Sequence, residues 1–465
     1  MRYISTRGEA PELGFCDTLL AGLARDGGLY VPETWPHFDE DAIRALSNKS
    51  YGEIAKTILA PFMGDEISAQ DFSAMVDESY ASFNHPAVAP LVQTNSGEFV
   101  LELFHGPTLA FKDVAMQLLS RLMDKILADR GSKVTIVGAT SGDTGGAAIE
   151  AFKGRANSDI FILFPDGKVS DVQRWQMTGV TDANVHALAI KGNFDDCQSL
   201  VKAMFNHHSF RDANKLSGVN SINWGRIMAQ IVYYFSAAVS LGAPDRKVSF
   251  TVPTGNFGDI FAGYAAKRMG LPIEQLVIAT NSNDILDRTL KTGRYETAGV
   301  HATTSPSMDI QVSSNFERLL FEASGRDAHW VRQSMSSLSQ SGAFELGDEV
   351  HSKIREEFSS GRADNNAVDA TISTVLLDSG YLADPHTAVG LQVARENPGK
   401  APMIVLSTAH PAKFPDAVKA ACGVLPPLPP RNKDLMAGKE RFTLLENDLA
   451  TVENYISTHT RASVQ

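Results

Sequence analysis

The amino-acid sequence predicts an α/β protein with parallel sheets and a mainly helical N-terminal domain. Five short apolar runs, bounded by turn residues, alternate with helical segments: KVTIVGA from residue 133, DIFILFP from 159, KVSFTVP from 247, QLVIAT from 275 and APMIVLST from 401. Runs that are apolar on both faces are typical of strands in a parallel sheet that helices cover. Residues 1–98 show helical stretches and little strand signal, which indicates a separate domain.

The length of 465 residues predicts two or three domains and a short tail. We place boundaries after residues 98, 240 and 430, so that the tail covers 431–465. NSGEF from residue 95 is predicted to be a turn leading into VLELF, and SMSSLSQSG from 334 a loop. LPPLPP from 425 predicts a stiff polyproline segment before the tail.

The composition restricts the class of protein. Hydrophobic residues make up 43% and charged residues 21%, which is globular, and the net charge of -12 argues against a nucleic-acid scaffold. Cys16, Cys197 and Cys422 are far apart and odd in number, so we expect no disulfide framework and a reducing, cytoplasmic location. No signal peptide or membrane span is evident, and residues 226–243 read as a buried helix. No HExxH motif occurs, and we expect no metal site.

A single lysine lies at a helix start within HGPTLAFKDVAMQ, residues 105–117. After Lys112, apolar residues recur at steps of three and four, which describes the buried stripe of an amphipathic helix. The apolar residues 109–111 would limit hydration of the amine, and the positive end of the helix dipole would oppose its protonation. A lysine in this position can act as a nucleophile that forms imines.

Two predicted strands end in glycine-rich turns that open helices, TSGDTGGAAIEAF after the first run and TGNFGDIFAGYAAKRMG after the third. Such turns expose backbone N–H groups at a helix N-terminus and favour anions. Neither matches a P-loop or a GxGxxG fingerprint. Glycines that only turn a strand into a helix are the alternative for either loop. Two anion sites and an embedded amine together fit a phosphorylated carbonyl compound, which indicates pyridoxal phosphate.

The last apolar run ends in Ser407 and Thr408, within APMIVLSTAHPAKF. A hydroxyl at this strand end could bond a ligand nitrogen, or it could only terminate the strand. His105, His386 and His410 lie in neighbouring motifs, where both pocket and structural roles are open. Asn220 and Asn223 are predicted to be turn or capping groups.

In these motifs the chain resembles the threonine synthase family, pyridoxal-phosphate enzymes of fold type II, which is the tryptophan synthase β-like fold. The resemblance runs in order through MRYISTRG, FHGPTLAFKDVAMQ, GATSGDTGGAAIEAF, VSDVQRWQM, NSINWGRIMAQIVYYF, PTGNFGD, DPHTAVG and STAHPAKF. It favours the longer microbial and fungal branch with an extra N-terminal domain. It implies a smaller domain at 99–240 with the Schiff-base lysine, a larger one at 241–430 with the phosphate cradle, and the cofactor between them.

The resemblance assigns roles to matching positions. Lys112 stands where the family's lysine forms the imine, and Thr408 matches the hydroxyl partner of the pyridine nitrogen. The loop that cradles the cofactor phosphate corresponds to Gly255, Asn256, Phe257 and Gly258. The loop near the substrate carboxylate and the phenolic oxygen of the cofactor corresponds to Ser141, Gly142, Asp143 and Thr144. The wider fold type usually has asparagine at the position of Asp143, and an ionised aspartate cannot donate a hydrogen bond.

The implied activity is that of a carbon–oxygen lyase acting on phosphate, which converts O-phospho-L-homoserine and water into L-threonine and phosphate. Lys168, Ser170 and Arg174 are candidates for holding the leaving phosphate, with a solvated helix face as the alternative. Two other functions stay open: a phospho-lyase of the threonine-synthase-like group that releases a keto acid, and a cofactor-binding paralogue without turnover. The sequence does not determine the oligomeric state or regulation.

Overall fold

The structure, a computed structural model, describes residues 1–463. In that range the strands are β1 (Tyr3–Ser5), β2 (Tyr30–Pro32), β3 (Leu91–Asn95), β4 (Glu98–Glu102), β5 (Val134–Ala139), β6 (Ser158–Pro165), β7 (Val185–Ile190), β8 (Leu216–Ser217), β9 (Val248–Pro253), β10 (Ile273–Thr280), β11 (Arg294–Glu296), β12 (Ala343–Glu345), β13 (Phe358–Arg362), β14 (Met403–Ser407) and β15 (Thr443–Leu445). All five predicted apolar runs are strands, namely β5, β6, β9, β10 and β14.

The helices connect and cover these strands. They are α1 (Phe15–Ala21), α2 (Glu40–Arg44), α3 (Tyr51–Met63), α4 (Ala69–Ala81), α5 (Lys112–Asp129), α6 (Asp143–Phe152), α7 (Asp171–Thr178), α8 (Phe194–Asn206), α9 (His208–Ala213), α10 (Trp224–Ser240), α11 (Gly258–Arg268), α12 (Ile285–Thr292), α13 (Phe316–Ala323), α14 (Ala328–Ser341), α15 (Asp348–Glu357), α16 (Asn365–Ser379), α17 (Pro385–Glu396), α18 (Pro415–Cys422) and α19 (Leu449–His459). Among the described helices, none combines the length and the apolar character that a membrane crossing requires.

Two sheets form the framework of the α/β region. The larger has the strand order β13-β10-β9-β14-β4-β3, with all neighbours parallel except β3 and β4. The smaller has the order β15-β7-β6-β5-β8 and is wholly parallel. Every residue of β6 and β9 is buried, as strands covered on both faces require. The predicted α/β class with parallel sheets is confirmed.

The N-terminal part is mainly helical and packs on the α/β region. Helices α3 and α4 follow one another, and α3 lies against α10 while α4 lies against α5. The strands β1 and β2 form a small antiparallel pair that the sequence did not indicate. Tyr3, on β1, donates a hydrogen bond from its hydroxyl to the carbonyl of Phe62 at 2.7 Å, which ties this pair to α3.

Strand pairing crosses all three predicted boundaries, since β4 also pairs with β14 across the boundary after residue 240. The boundary after residue 98 falls inside β4, and β3 and β4 both belong to the larger sheet. The predicted tail contributes β15, which pairs with β7, and α19, which packs on α8. The division into domains stays a prediction, whereas these pairings attach the tail to the smaller sheet.

The predicted loop SMSSLSQSG is wrong, because it forms the second half of α14. Val331 is fully buried with Met335 beside it, and Leu338, at helical spacing, packs against the main core. This apolar stripe outweighs the weak helix propensity of the serines. Asp327 caps the helix by accepting the N–H of Trp330 at 3.0 Å.

Candidate active site

The amine of Lys112 is held at the first residue of α5, where the side chain is only 7% exposed. The turn before it is fixed by Asp113, which accepts hydrogen bonds from both the N–H and the hydroxyl of Thr108 at 2.7 Å. Burial raises the pKa of Asp113 to about 6. The predicted helix start at the lysine is confirmed, and the structure gives Asp113 a second role in shaping the approach to it.

The electrostatic surroundings of Lys112 lower the pKa of its amine. Its Nζ atom lies 3.4 Å from Oδ2 of Asp143 and 4.9 Å from the ring centre of Phe111. Burial lowers the pKa of Lys112; Lys413 and Arg226 lower it further, and Asp143 opposes them. A lower pKa makes the neutral, nucleophilic amine more accessible near neutral pH.

Lys413 is a site residue that sequence reasoning missed. Its fully buried ammonium lies 2.8 Å from Oδ1 of Asp143 and donates to the carbonyl of Thr108 at 2.8 Å and to Oε1 of Gln176 at 3.0 Å. These three acceptors match the three N–H donors of an ammonium. Lys413 is therefore saturated by the protein and holds Asp143 in place.

Asp143, whose role the sequence left open, is an ionised acceptor. Burial alone would raise the pKa of Asp143, but Lys413 and Lys112 together hold it well below its usual value. Gln173 donates from Nε2 to its Oδ1 at 2.9 Å, and the hydroxyl of Ser307 lies 3.4 Å from its Oδ2. The carboxylate thus orients the amine of Lys112 and accepts hydrogen bonds rather than donating them.

The first glycine loop is shaped by Thr140. Its hydroxyl accepts the N–H groups of Gly142 at 3.0 Å and Gly145 at 2.9 Å, which turns the chain from β5 into α6. Gly142 has φ +146°, and a Cβ there would lie 2.4 Å from the side chain of Gln173. Ser141 and Thr144, the other residues predicted in this loop, are partly exposed beside Asp143.

The second glycine loop has the geometry of an anion cradle. Phe257 adopts a left-handed conformation with φ +63°, and α11 begins at Gly258. A Cβ on Gly255 would lie 2.9 Å from the carbonyl oxygen of Ser307, so only glycine fits this close approach. The ring of Phe257 packs in the core, 5.3 Å from that of Phe316, which leaves only its backbone for a ligand.

Thr408 follows β14 and lies beside the lysine segment. The N–H of Phe111 donates to its carbonyl at 2.9 Å. The neighbouring Ser407 is fully engaged, because its hydroxyl meets those of Thr387 at 2.9 Å and Tyr381 at 3.2 Å. Within residues 1–463 the hydroxyl of Thr408 has no hydrogen-bond partner, so of the two predicted hydroxyls it is the one available to a ligand.

Ser307 joins the separate parts of the site. Its hydroxyl lies near Asp143, its carbonyl near Gly255, and its N–H donates to Nε2 of His386 at 3.2 Å. His386 in turn is held through Nδ1 by Asp384 at 2.8 Å. The structure therefore brings Lys112, both glycine loops and the strand end of Thr408 together at one place, as expected for the carboxyl ends of parallel strands.

The remaining predicted polar residues have structural partners. Nε2 of His105 lies 2.7 Å from Oε2 of Glu102, within hydrogen-bond distance. Burial lowers the pKa of His410 to about 4. Asn223 caps α10 by accepting the N–H of Gly225 at 2.9 Å, which confirms the capping interpretation.

The three candidates for the leaving phosphate lie on or next to α7. Lys168 is exposed in the preceding turn, and Ser170 is the N-cap residue of the helix. Arg174 forms ion pairs with Glu440 and Asp171, the latter at 3.2 Å. Their substrate role stays a prediction. The buried face of α7 instead supplies two glutamines, Gln173 and Gln176, to the site. Their i, i+3 spacing beside buried apolar residues is the feature of the sequence that could have identified them.

Asp259, the first residue after the cradle, gives a prediction for stability. Burial raises the pKa of Asp259 to about 7, although Tyr233 and Tyr234 donate hydrogen bonds to its Oδ1. Its Oδ2 has no partner in the described residues, which favours a proton there. The folded state therefore binds this proton more tightly than the unfolded state. The contribution of this carboxyl to the free energy of unfolding is therefore greatest below about pH 4. It is lost as the pH rises to about 7.

We expect Asp259→Asn to remove this pH dependence in the ligand-free protein. Urea unfolding between about pH 4 and about pH 7 should show the wild type losing on the order of 1 kcal/mol per pH unit more than the variant. The exposed Asp166→Asn is the control and should follow the wild type. Parallel curves for wild type and Asp259→Asn would show that Asp259 is ionised in the folded protein throughout.

The residues present fit a phosphorylated aldehyde. Lys112 offers a buried amine, the loop at Gly255 offers backbone at a helix start where no Cβ fits, and Thr408 offers a free hydroxyl at the end of the neighbouring parallel strand β14. An amine, an anion cradle and a hydroxyl for a ring nitrogen are what pyridoxal phosphate requires.

Comparison with known proteins gives matches over nearly the whole chain. The family described as threonine synthase N terminus matches residues 2–80, that of pyridoxal-phosphate dependent enzymes matches 85–408, and that of threonine synthase, C-terminal matches 387–456. The chain is similar to the threonine synthase of Pseudomonas aeruginosa, with 53% identity over 99% of this chain and 98% of the relative.

Solved structures give the same result. The chain is similar to the pyridoxal-phosphate-bound threonine synthase of Brucella melitensis, with a TM-score of 0.98 and 68% identity over 99% of this chain and 100% of the other. It is also similar to the threonine synthase of yeast, with a TM-score of 0.93 and 41% identity over 98% of both chains.

Proposed function

Because the chain belongs to the threonine synthase family, we propose that it converts O-phospho-L-homoserine and water into L-threonine and phosphate, with Lys112 as its catalytic amine. The observation that carries the assignment of the residue is that this buried amine meets the cradle through Asp143 and Ser307, and the strand end of Thr408 through Phe111. The three free cysteines of the described chain support a reducing, cytoplasmic location.

Pyridoxal phosphate, the cofactor of this family, supplies a conjugated ring that accepts electrons from the α-carbon of an amino acid. Lys112 would hold its carbonyl carbon, and the backbone of Gly255–Gly258 would hold its phosphate. Thr408 would bond its ring nitrogen. A neutral hydroxyl stabilises a charged pyridinium less than a carboxylate would, so this ring is a moderated electron acceptor.

Once the substrate is bound, Lys112 is free to carry protons. Its amine begins α5, so its position is fixed by the helix and by the contact with Asp143. Because Lys413 keeps Asp143 ionised, the carboxylate attracts the ammonium that forms whenever Lys112 accepts a proton. The pair thus holds the transferred proton close to the substrate until it is delivered.

The reaction requires proton transfers at three carbons. The α-carbon must lose a proton and regain one, the β-carbon must lose one before it receives the hydroxyl of water, and the γ-carbon must gain one to become a methyl group. Lys112 is the amine at the site that is able to make these transfers.

Purified holoenzyme incubated with O-phospho-L-homoserine tests this function. We expect equal amounts of phosphate and threonine, measured together with 2-oxobutyrate and homoserine. If phosphate is accompanied by 2-oxobutyrate alone, the enzyme is a phospho-lyase. If it is accompanied by homoserine, the enzyme is a phosphatase toward this substrate. Unchanged substrate would identify a paralogue without turnover.

In heavy water we expect solvent deuterium at both the α-carbon and the methyl group of the threonine formed. The ammonium of Lys112 carries three exchangeable hydrogens, so the proton that it delivers is mostly drawn from solvent. Proton NMR of the product measures both positions. Deuterium at the α-carbon alone would show that the γ-carbon receives no proton from this amine, and the proposed role of Lys112 at that carbon would be wrong.

A further inference from the structure

Arg226, near the start of α10, is a buried guanidinium with few partners. It is 3% exposed, and the one hydrogen bond of its side chain in the described chain is a long contact of 3.5 Å from Nη1 to the carbonyl of Val219. Its Nε atom has no partner within residues 1–463. An arginine has five N–H donors, so most of its hydrogen-bonding capacity is unused.

A second buried arginine has hydrogen-bond partners for its guanidinium. Arg318 is fully buried and donates from Nε to the carbonyl of Tyr30 at 3.0 Å, from Nη2 to that of Ile222 at 2.7 Å, and from Nη1 to Asn315. Backbone carbonyls can therefore satisfy an arginine in this region of the fold. Arg226, four residues from Ile222, lacks that arrangement.

The charge of Arg226 also lacks a counter-ion. No carboxylate oxygen of residues 1–463 lies within 4.0 Å of its nitrogens. Burial lowers the pKa of Arg226 to about 10, so the side chain is still charged at neutral pH. A buried charge without a partner is strongly unfavourable, and such a charge is retained where an anion compensates it.

Helix α10, which carries Arg226, lies beside the phosphate cradle. The next residue, Ile227, would have its Cδ1 atom 3.3 Å from a Cβ on Gly258, so α10 packs directly against the start of α11. Asn315 links the two helix starts by donating from Nδ2 to the carbonyls of Ser221 at 3.2 Å and Asn256 at 3.0 Å. Arg226 also contributes to lowering the pKa of Lys112, so its charge acts on the same space.

We propose that Arg226 is the counter-cation of a phosphate dianion bound at the cradle formed by Gly255–Gly258. The inference rests on the proposed function, which brings two phosphate monoesters to the site, one on the cofactor and one on the substrate. The proximity of α10 to Gly258 favours the cofactor phosphate. The cradle supplies N–H groups and a helix dipole, and Arg226 supplies the full positive charge that these lack.

Binding to the cofactor-free protein tests the proposal without any turnover. Pyridoxal phosphate and pyridoxal, which lacks the phosphate, are titrated against wild type, Arg226→Met and Arg226→Lys and followed by absorbance. We expect Arg226→Met to lower the affinity for pyridoxal phosphate about 10- to 100-fold and to leave the affinity for pyridoxal unchanged, because only the phosphate meets the arginine. Arg226→Lys should recover part of the lost affinity.

The outcomes separate the two sources of phosphate. If Arg226→Met binds pyridoxal phosphate and pyridoxal as the wild type does, but its holoenzyme is inhibited more weakly by inorganic phosphate, Arg226 pairs with the substrate phosphate and its proposed place at the cradle is wrong. If pyridoxal and pyridoxal phosphate weaken equally, or neither cofactor binding nor phosphate inhibition changes, Arg226 is structural and the proposal is overturned. Failure to form threonine in the wild type would remove the proposed function without affecting this binding result.

Thermal unfolding provides a second measurement. Arg226→Met should leave the Tm of the cofactor-free protein unchanged or raise it, because an uncompensated buried charge is removed. The rise in Tm on adding pyridoxal phosphate should shrink. Arg318→Met, the matched control, should lower the Tm of the cofactor-free protein, since it removes satisfied hydrogen bonds. An equal loss of Tm for Arg226→Met with and without cofactor would contradict the proposal.

Discussion

Replacement of Lys112 by alanine is expected to lower kcat by at least about 10⁴-fold, because one side chain supplies both the nucleophile and the proton carrier. The chain should stay folded. Asp143 keeps Lys413 at 2.8 Å and Gln173 at 2.9 Å after the amine is removed, so no buried charge is left without a partner. Noncovalent binding of the cofactor should persist, since the cradle at Gly255 is intact.

Threonine formation and circular dichroism measure activity and folding of this variant. The matched control is Lys125→Ala, a change to a partly exposed lysine on the same helix whose partner is Asp129 at 2.6 Å, and it should be fully active. Borohydride reduction of the wild-type holoenzyme should fix the cofactor to the peptide that contains Lys112. Labelling of a different lysine, or an active Lys112→Ala enzyme, would show that another amine performs the reaction.

Local patterns in the sequence were sufficient to predict the backbone elements that carry the candidate site. Lys112 was placed correctly because the apolar stripe of α5 begins directly after it. The turn at Gly255–Gly258 was predicted because a buried strand followed by glycines produces a helix start, and α11 does begin at Gly258; that this turn holds a phosphate stays a prediction. Both features depend on neighbouring residues, which a single sequence displays.

The polar network around Asp143 could not be found in this way. Lys413 lies 270 positions from Asp143 and 237 from Gln176, and its sequence context resembles that of an ordinary surface lysine. Only the packing of the strand ends buries it and provides its three acceptors. Ser307, which joins the two glycine loops, lies 164 positions from Asp143 and was missed for the same reason.

Two further elements were obscured by weak local preference. Helix α14 contains many serines, and Val331 is buried by contacts with distant residues, Val31 on β2 and Phe321 on α13. Strand β15 is three residues long, and nothing in Thr443–Leu445 distinguishes it from a tail until β7 provides its partner. In both cases tertiary contacts decide the structure that local propensity leaves open.

The second large effect is expected at the cradle. Gly255→Asp should lower the affinity for pyridoxal phosphate by at least about a hundredfold, which is about 2.8 kcal/mol of binding free energy. Two causes add. A Cβ at this position would lie 2.9 Å from the backbone carbonyl of Ser307, which cannot move as a side-chain end could. The new carboxylate would also repel the cofactor phosphate, and two unit charges about 4 Å apart interact by about 4 kcal/mol at an effective dielectric constant near 20.

Gly255→Ala separates these causes, since it has the clash without the charge, and its loss of affinity should lie between those of the wild type and the aspartate variant. Gly299→Asp is the matched control, because that glycine is exposed and a Cβ there meets nothing within 4 Å. Cofactor titration of the folded, cofactor-free proteins measures all three. If folded Gly255→Asp binds pyridoxal phosphate as tightly as Gly299→Asp does, the phosphate is held elsewhere, and the loop at Gly255–Gly258 serves only to turn β9 into α11.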